Sequence, residues 1–261
     1  PAGVGKTWLL QSIAAGALKR GFTVVHYTLE LNETYVGLRY DTIFSGISTQ
    51  NIKFQKEEVK KIIDSIEGRM IIKYYPTRAA SVNTLAAHLK QLELKAIKPD
   101  LVIVDYADIL KDSSGMREVR HQLGAVYEDL RGMAGEFKVP IWTASQANRS
   151  ALEEEVIEAT KIAEAYSKIM IADFVLSISR KAEDKLSHTA RCHIIKNRFG
   201  IDGITYPMNM NTNLGKIEIY ESTTQSGREQ QGKMDNSEEF KRQLLASKYK
   251  DMKNNDVEGF E

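Results

Sequence analysis

Seven residues, Pro1-Ala-Gly-Val-Gly-Lys-Thr7, constrain the fold of this chain more than any other stretch. They fill most of the pattern G-x-x-x-x-G-K-[ST], with Gly5, Lys6 and Thr7 in its last three places. The pattern's first glycine falls one position before Pro1, so the motif is truncated and the chain reads as part of a longer protein. Small residues in such a loop let successive backbone N–H groups curl around a phosphate. Lys6 then reaches the β- and γ-phosphates, and the Thr7 hydroxyl ligates Mg²⁺. A helix starting here adds its positive end. The binding set predicted on this basis is Gly3, Val4, Gly5, Lys6, Thr7 and Trp8. Alone, the stretch also fits a plain glycine-rich turn before a helix, so the decision falls to the residues that follow.

Those residues alternate between helix and strand. Leu9, Leu10, Ile13, Ala14, Ala17 and Leu18 have helical spacing over 7–20, and Gly21 ends that helix. TVVHYTL (23–29) is β-rich, and Asn32 caps a second helix to about Ser45. An amphipathic helix over 56–67 and a strand over Met70–Tyr75 follow. Ser81 then caps a helix to about Ala96. LVIVD (101–105) is an unbroken apolar run, as in a strand covered on both faces of a parallel sheet. Residues 111–121 read as a loop, with a helix to about Phe137 and a strand at Pro140–Ser145 beyond it.

The period then changes. Residues 147–168 are polar and loosely helical. Asp173–Arg180, Ala190–Asn197, Ile204–Met210 and Lys216–Tyr220 read as strands joined by short turns, hence antiparallel additions at the sheet edge. The predicted fold is α/β, a P-loop core of mostly parallel sheet with helices on both faces. Residues 1–221 form one domain on this reading. Residues 222–261 form a polar, flexible tail, with 222–237 disordered and a short helix over Glu238–Lys250. Because the strand that would lead into the phosphate loop is absent, the sheet is expected to lack a central strand.

Candidate chemistry gathers at strand ends, where an open α/β sheet places its ligand. Asp105 closes LVIVD and is placed to hold the Mg²⁺ water shell. Glu30, after the second strand, is placed to orient an attacking water. Gln146, after IWTAS, offers an uncharged amide to the γ-phosphate and leads directly into 147–168. Lys196 and Arg198, two apart, point to one side of a strand end, from which they can reach a phosphate on a neighbouring subunit. Each has a bland counterpart: a strand-terminating acid, a surface amide, a solvated strand end.

Together these residues resemble the RecA-like motor domain of DnaB-type hexameric replicative helicases. LELNETYVGLRYDTIFSGI resembles the segment carrying that family's catalytic glutamate, here Glu30. VIVDYADIL resembles its Walker B segment, matching Asp105 to the metal site. VPIWTASQANRS matches Gln146 to its sensor, and IIKNRFG matches Lys196 and Arg198 to the pair supplied to the neighbour's ATP. RMIIKYYPT, IWTASQ and KIAEAYSKIMIADFVL place the chain nearer to T-even-type phage helicases than to bacterial ones. Where bacterial members have an Arg-Glu-Ser-Gly-type DNA-binding loop, this chain has Ala163-Glu164-Ala165-Tyr166.

The resemblance implies ATP and Mg²⁺ as cofactors, single-stranded DNA as partner, and a homo-hexamer. Primase and a helicase loader would bind through regions outside this chain. The activity implied is ATP-driven movement along single-stranded DNA with unwinding of duplex. Lys111, Arg117 and Arg120 in one loop, and Arg149, Lys161 and Lys168 in the other, are the residues placed to contact DNA phosphates without reading bases. A net charge of +1 requires any such surface to be a local stripe. A RecA/RadA-type strand-exchange ATPase and a non-motor regulatory or loader ATPase stay open as alternatives.

The single cysteine, Cys192, excludes a disulfide framework, and no run of about 18 apolar residues suggests a membrane span. Both suit the cytoplasm, a bacterial host's if the protein is phage-encoded.

Overall fold

The computed structural model describes residues 3–116, 118–146 and 166–236. Helix α1 (Lys6–Leu18) begins where the glycine-rich run ends, with Gly5 as its N-cap at φ 104°. Leu10, Ala14, Ala15 and Leu18 bury into one core, and Leu9 into another. A helix apolar on more than one side belongs between two layers, which is where α1 lies. Gly21, at φ 82°, follows its last turn and donates its N–H to the Leu18 carbonyl, so the glycine ends the helix as predicted.

The first layer is a parallel sheet built from β1 (Thr23–Thr28), β2 (Arg69–Tyr74), β3 (Leu101–Asp105) and β4 (Ile141–Thr143), in the order β2-β1-β3-β4. Its helices are α2 (Glu33–Ser45), α3 (Lys56–Asp64), α4 (Val82–Leu94) and α5 (Val119–Phe137). Asn32 caps α2 by accepting the Tyr35 N–H at 3.0 Å. Alternation along β1 sends Val24 toward α1 and α2, and Val25 and Tyr27 toward the core shared with α4 and α5. Leu85, Leu89, Val126 and Leu130 complete that second core. All of β3 is buried, as its unbroken apolar run predicts.

Register fixes where the site lies. Thr28 pairs with Asp105, and Val104 with Thr143, so the C-terminal ends of β1, β3 and β4 finish on one rim. Glu30, Asp105 and Gln146 leave the sheet along that rim.

The second layer is antiparallel: β5 (Phe174–Ser179), β6 (Thr189–Asn197), β7 (Thr205–Asn211) and β8 (Lys216–Ile219), in that order. Helix α6 (Tyr166–Ile171) precedes it, α7 (Ala182–Ser187) joins β5 to β6, and α8 (Gln225–Asp235) follows it. These strands pair among themselves and not with β4. Between β4 and β5 runs a cleft of about 480 Å³ lined by Leu10, Ile13, Ile141, Phe174 and Leu176 among others, with Val4 and Lys6 also on its wall. Trp142 and Phe174 face each other there, ring centroids 5.8 Å apart.

One expectation is overturned. Residues 222–237 are not disordered throughout, because Gln225–Asp235 is helical. Thr224 caps it by accepting the Gly227 N–H at 3.0 Å. Met234 is 3 % exposed, and buried Gln230 donates to the Met208 carbonyl. A polar composition hid one anchoring methionine and one paired glutamine. Glu238–Lys250 lies outside the described residues.

Candidate nucleotide site

The loop before α1 turns on two glycines. Gly3 and Gly5 both sit at positive φ, 77° and 104°, where a side chain is strained. A Cβ on Gly5 would also come within 2.4 Å of Met210 Cε. Next in sequence, the Lys6 Nζ is buried with no hydrogen-bond partner, 5.4 Å from the centroid of the Tyr106 ring. A buried ammonium without a partner marks a place for an anion. Burial lowers the Lys6 pKa, while Asp108, Asp105 and Glu30 act in the opposite direction.

The Thr7 hydroxyl donates to Asp105 Oδ1 at 3.3 Å, bridging the start of α1 and the end of β3. Burial pushes the Asp105 carboxyl up to about 6; the Thr7 hydrogen bond opposes this and Glu30 reinforces it. Glu30 is exposed, two residues past β1, and its charge is felt by Lys6, Asp105, Tyr106 and Arg39. Arg39 on α2 stacks its guanidinium 5.0 Å from the centroid of the Trp8 ring. Among the described residues no cluster of three or more His, Cys, Asp or Glu forms a metal cage. A hydroxyl beside one carboxylate instead fits Mg²⁺ that keeps waters and phosphate oxygens as its other ligands.

Gln146 is exposed on the same rim. Its Nε2 donates to the Tyr106 hydroxyl at 3.0 Å, and its N–H to Asp108 Oδ2 at 3.2 Å. Asp108 is the residue that the sequence reading missed. Its carboxylate also accepts from the Tyr127 hydroxyl at 2.8 Å, Ser145 Oγ at 2.9 Å and Lys168 Nζ at 2.7 Å. Its place three residues after Asp105 was the available signal.

Lys168 is thereby a correction. It was placed among the DNA contacts, but its side chain is 8 % exposed and its ammonium is held by Asp108 and by Ser145 Oγ. The pull of a half-buried carboxylate turns it inward. Arg117, Arg149 and Lys161 lie outside the described residues. Arg120 falls in α5, but its side chain is not described. Lys111 is exposed.

Lys196 lies in β6, whereas Arg198 lies in the turn just beyond it, so strand alternation does not fix their relative direction. Lys196 Nζ donates to the Ile169 and Met170 carbonyls at 2.8 and 2.9 Å. Arg198, 44 % exposed, pairs with Asp173 at 2.7 Å. The charges that act on Lys196 are Arg198, Asp173 and Arg131, none of them part of the Lys6 cluster. The structure thus gathers Lys6, Thr7, Glu30, Asp105 and Gln146 on one rim, with this cation pair in a separate group.

The model of the DnaB-like helicase C-terminal domain matches residues 1–218. The chain belongs to that family. It is 30 % identical over 210 residues to the DnaB-like replicative helicase of Enterobacteria phage T4, across 76 % of this chain and 44 % of that protein. With the replicative DNA helicase DnaB of Helicobacter pylori strain 26695 it shares 22 % over 153 residues, 56 % of this chain and 31 % of that one. The higher identity with the phage protein agrees with the T-even-type resemblance. The chain spans less than half the length of these relatives.

Two solved structures share the fold. One, an ATPase domain, gives a TM-score of 0.72 at 20 % identity, covering 84 % of this chain and 82 % of that one. The other, a DnaB-like replicative helicase described with its interactions with primase, gives 0.72 at 19 %, covering 84 % and 56 %. The DnaB-like family match leaves the strand-exchange and non-motor readings unfavoured. Among the described residues no helix is long and apolar enough to cross a membrane.

Proposed function

We propose that this chain is the motor domain, residues 1–221, of an ATP-dependent replicative DNA helicase that moves on single-stranded DNA and unwinds duplex as a homo-hexamer. The observation that carries it is the buried, partnerless Lys6 ammonium beside the Thr7–Asp105 pair at the start of α1. That donor set fits a nucleotide phosphate with Mg²⁺, and family membership names the kind of machine that uses it.

Lys6 holds the β- and γ-phosphate oxygens, and the Gly3–Gly5 backbone with Val4 cradles the phosphate behind them; Trp8 borders the site with Arg39 stacked on it. Thr7 and Asp105 hold Mg²⁺. Burial holds the Asp105 carboxyl up at about 6, and a cation beside it would favour its ionised form. Bound Mg²⁺ supplies charge neutralisation on the transferred phosphoryl group. Glu30, exposed at the rim and close enough to Lys6 and Asp105 for its charge to reach them, orients the attacking water and accepts its proton. Gln146 senses the γ-phosphate and passes its loss into 147–168. Lys196 and Arg198 act on the ATP of the neighbouring subunit, which the half-exposed Arg198 guanidinium supports. Arg117, Arg120, Arg149 and Lys161 contact DNA phosphates.

Primase and a loader bind other parts of the whole protein, which works in the cytoplasm, a bacterial host's if the protein is phage-encoded; the similarity to a phage helicase supports that reading. The test is Lys6→Ala in the full-length protein. It should lower ATP turnover by at least about 10²-fold, because a preorganised charge on the transferring phosphoryl is lost. Unchanged turnover removes the site assignment.

A further inference from the structure

Helix α6 is six residues long, yet it holds Lys196 directly and reaches Gln146 through Asp108. Toward its start, Lys168 is seated on Asp108 and Ser145, at 2.7 and 3.0 Å. Asp108 in turn holds the Gln146 N–H, and the Gln146 amide is tied to Tyr106 beneath the Lys6 ammonium. At its other end, the carbonyls of Ile169 and Met170 take the Lys196 ammonium. Asp173, two residues beyond the helix, meets Arg198 at 2.7 Å and Arg131 at 3.0 Å, and its carbonyl accepts the Arg198 N–H at 2.9 Å. Arg131 also donates to the Ile171 carbonyl.

We propose that α6 is a relay, in which Lys168, seated on Asp108 beside Gln146, sets the position of Lys196 and Arg198. The cations that a subunit offers to its neighbour's ATP then depend on the state of its own site. This rests on the reading of Lys196 and Arg198 as acting across the subunit boundary.

The physical argument is one of stiffness and anchoring. A six-residue helix is about 9 Å long and moves as one piece, with the Ala172 N–H to Lys168 carbonyl bond closing its turn at 3.0 Å. A charge-assisted hydrogen bond in a poorly hydrated pocket ties Lys168 to Asp108 more tightly than a solvent-exposed pair would be tied. A shift of Gln146 on gaining or losing a γ-phosphate contact changes what Asp108 holds, and Lys168 carries that change to the helix. The two cations at the far end hang on the helix carbonyls and on Asp173, so they follow. Lys168 touches no substrate on this account; it is a positioning residue.

The test uses the full-length protein with Lys168→Met, which removes the charge and keeps most of the side-chain volume. Binding of a fluorescent ATP analogue should stay within about twofold of wild type while turnover falls by roughly a hundredfold, the signature of misplaced groups and an intact binding site. Lys168→Arg should restore most of the turnover. Mixing Lys168→Met with Lys6→Ala subunits should recover activity, since the latter contribute intact cations to sites that still bind ATP. If Lys168→Met fails to assemble, Lys168→Gln is put through the same series.

Arg198→Ala mixed with Lys6→Ala is the control. Recovery with Arg198→Ala but none with Lys168→Met or Lys168→Gln overturns the relay and leaves the trans reading standing. No recovery with either removes the trans reading, and the relay with it. Wild-type turnover in Lys168→Met also overturns the relay.

Discussion

At the scale of single residues, the site is a competition between burial and charge. Lys6 is buried without a partner, and Asp105 is buried enough to hold its proton up to about 6. Both are costly alone and satisfied together by a phosphate and a divalent cation. Glu30 is different: exposed and free to meet water. Glu30→Gln should therefore keep ATP binding and lower hydrolysis by about 10²–10⁴-fold, measured as single-turnover rates; normal turnover removes Glu30 as the base.

His26 gives a prediction about stability. It is fully buried, bonded to the Tyr40 hydroxyl at 2.8 Å, and burial lowers its pKa to about 3. The unfolded chain takes up that proton near pH 6.5 and the folded chain does not, so the group's contribution is whole above 6.5 and is lost as pH falls toward 3. The slope is at most about 1.4 kcal/mol per pH unit. Urea unfolding between pH 7 and 4 should show a shallower decline for His26→Gln; an identical slope contradicts this.

Glu30, Asp105 and Gln146 were legible in the sequence because each lies at, or within three residues of, the end of a recognisable strand, and parallel register then brings them to one rim. Lys168 and Asp108 were not legible as a pair. Sequence shows a charge but not its partner 60 positions away, and an isolated lysine in a polar stretch looks solvated.

Elements were legible where one physical cue dominates. The apolar run of β3 required cover on both faces, and Asn32 and Gly21 marked the ends of α2 and α1. Sheet pairing was not legible to the same degree. Strand propensity foretells β5 to β8, but only the tertiary structure shows that they pair apart from β4. Helix α8 was missed because its polar surface outweighs the one face it packs. If that face matters, Met234→Ala should destabilise the domain by about 2–4 kcal/mol, through lost burial and the cavity left behind. Chemical denaturation with a midpoint unchanged from wild type would return 225–235 to the status of a loose tail.

At the scale of the whole molecule, the chain carries two kinds of site residue on two layers. The Lys6 cluster lies where the parallel sheet ends, and Lys196 with Arg198 lies at the end of β6 in the antiparallel layer. Helix α1 bridges the two layers through Leu9 on one side and Leu10 on the other. In the proposed motor neither group suffices alone: a ring of copies, each giving cations to the next, would join ATP hydrolysis to movement on DNA. The direct measurement is strand displacement by the full-length protein on a forked DNA, with ATP and with a non-hydrolysable analogue. The account predicts displacement with ATP, none with the analogue, and none with Lys6→Ala. Pairing exchange between DNA strands without displacement would contradict it.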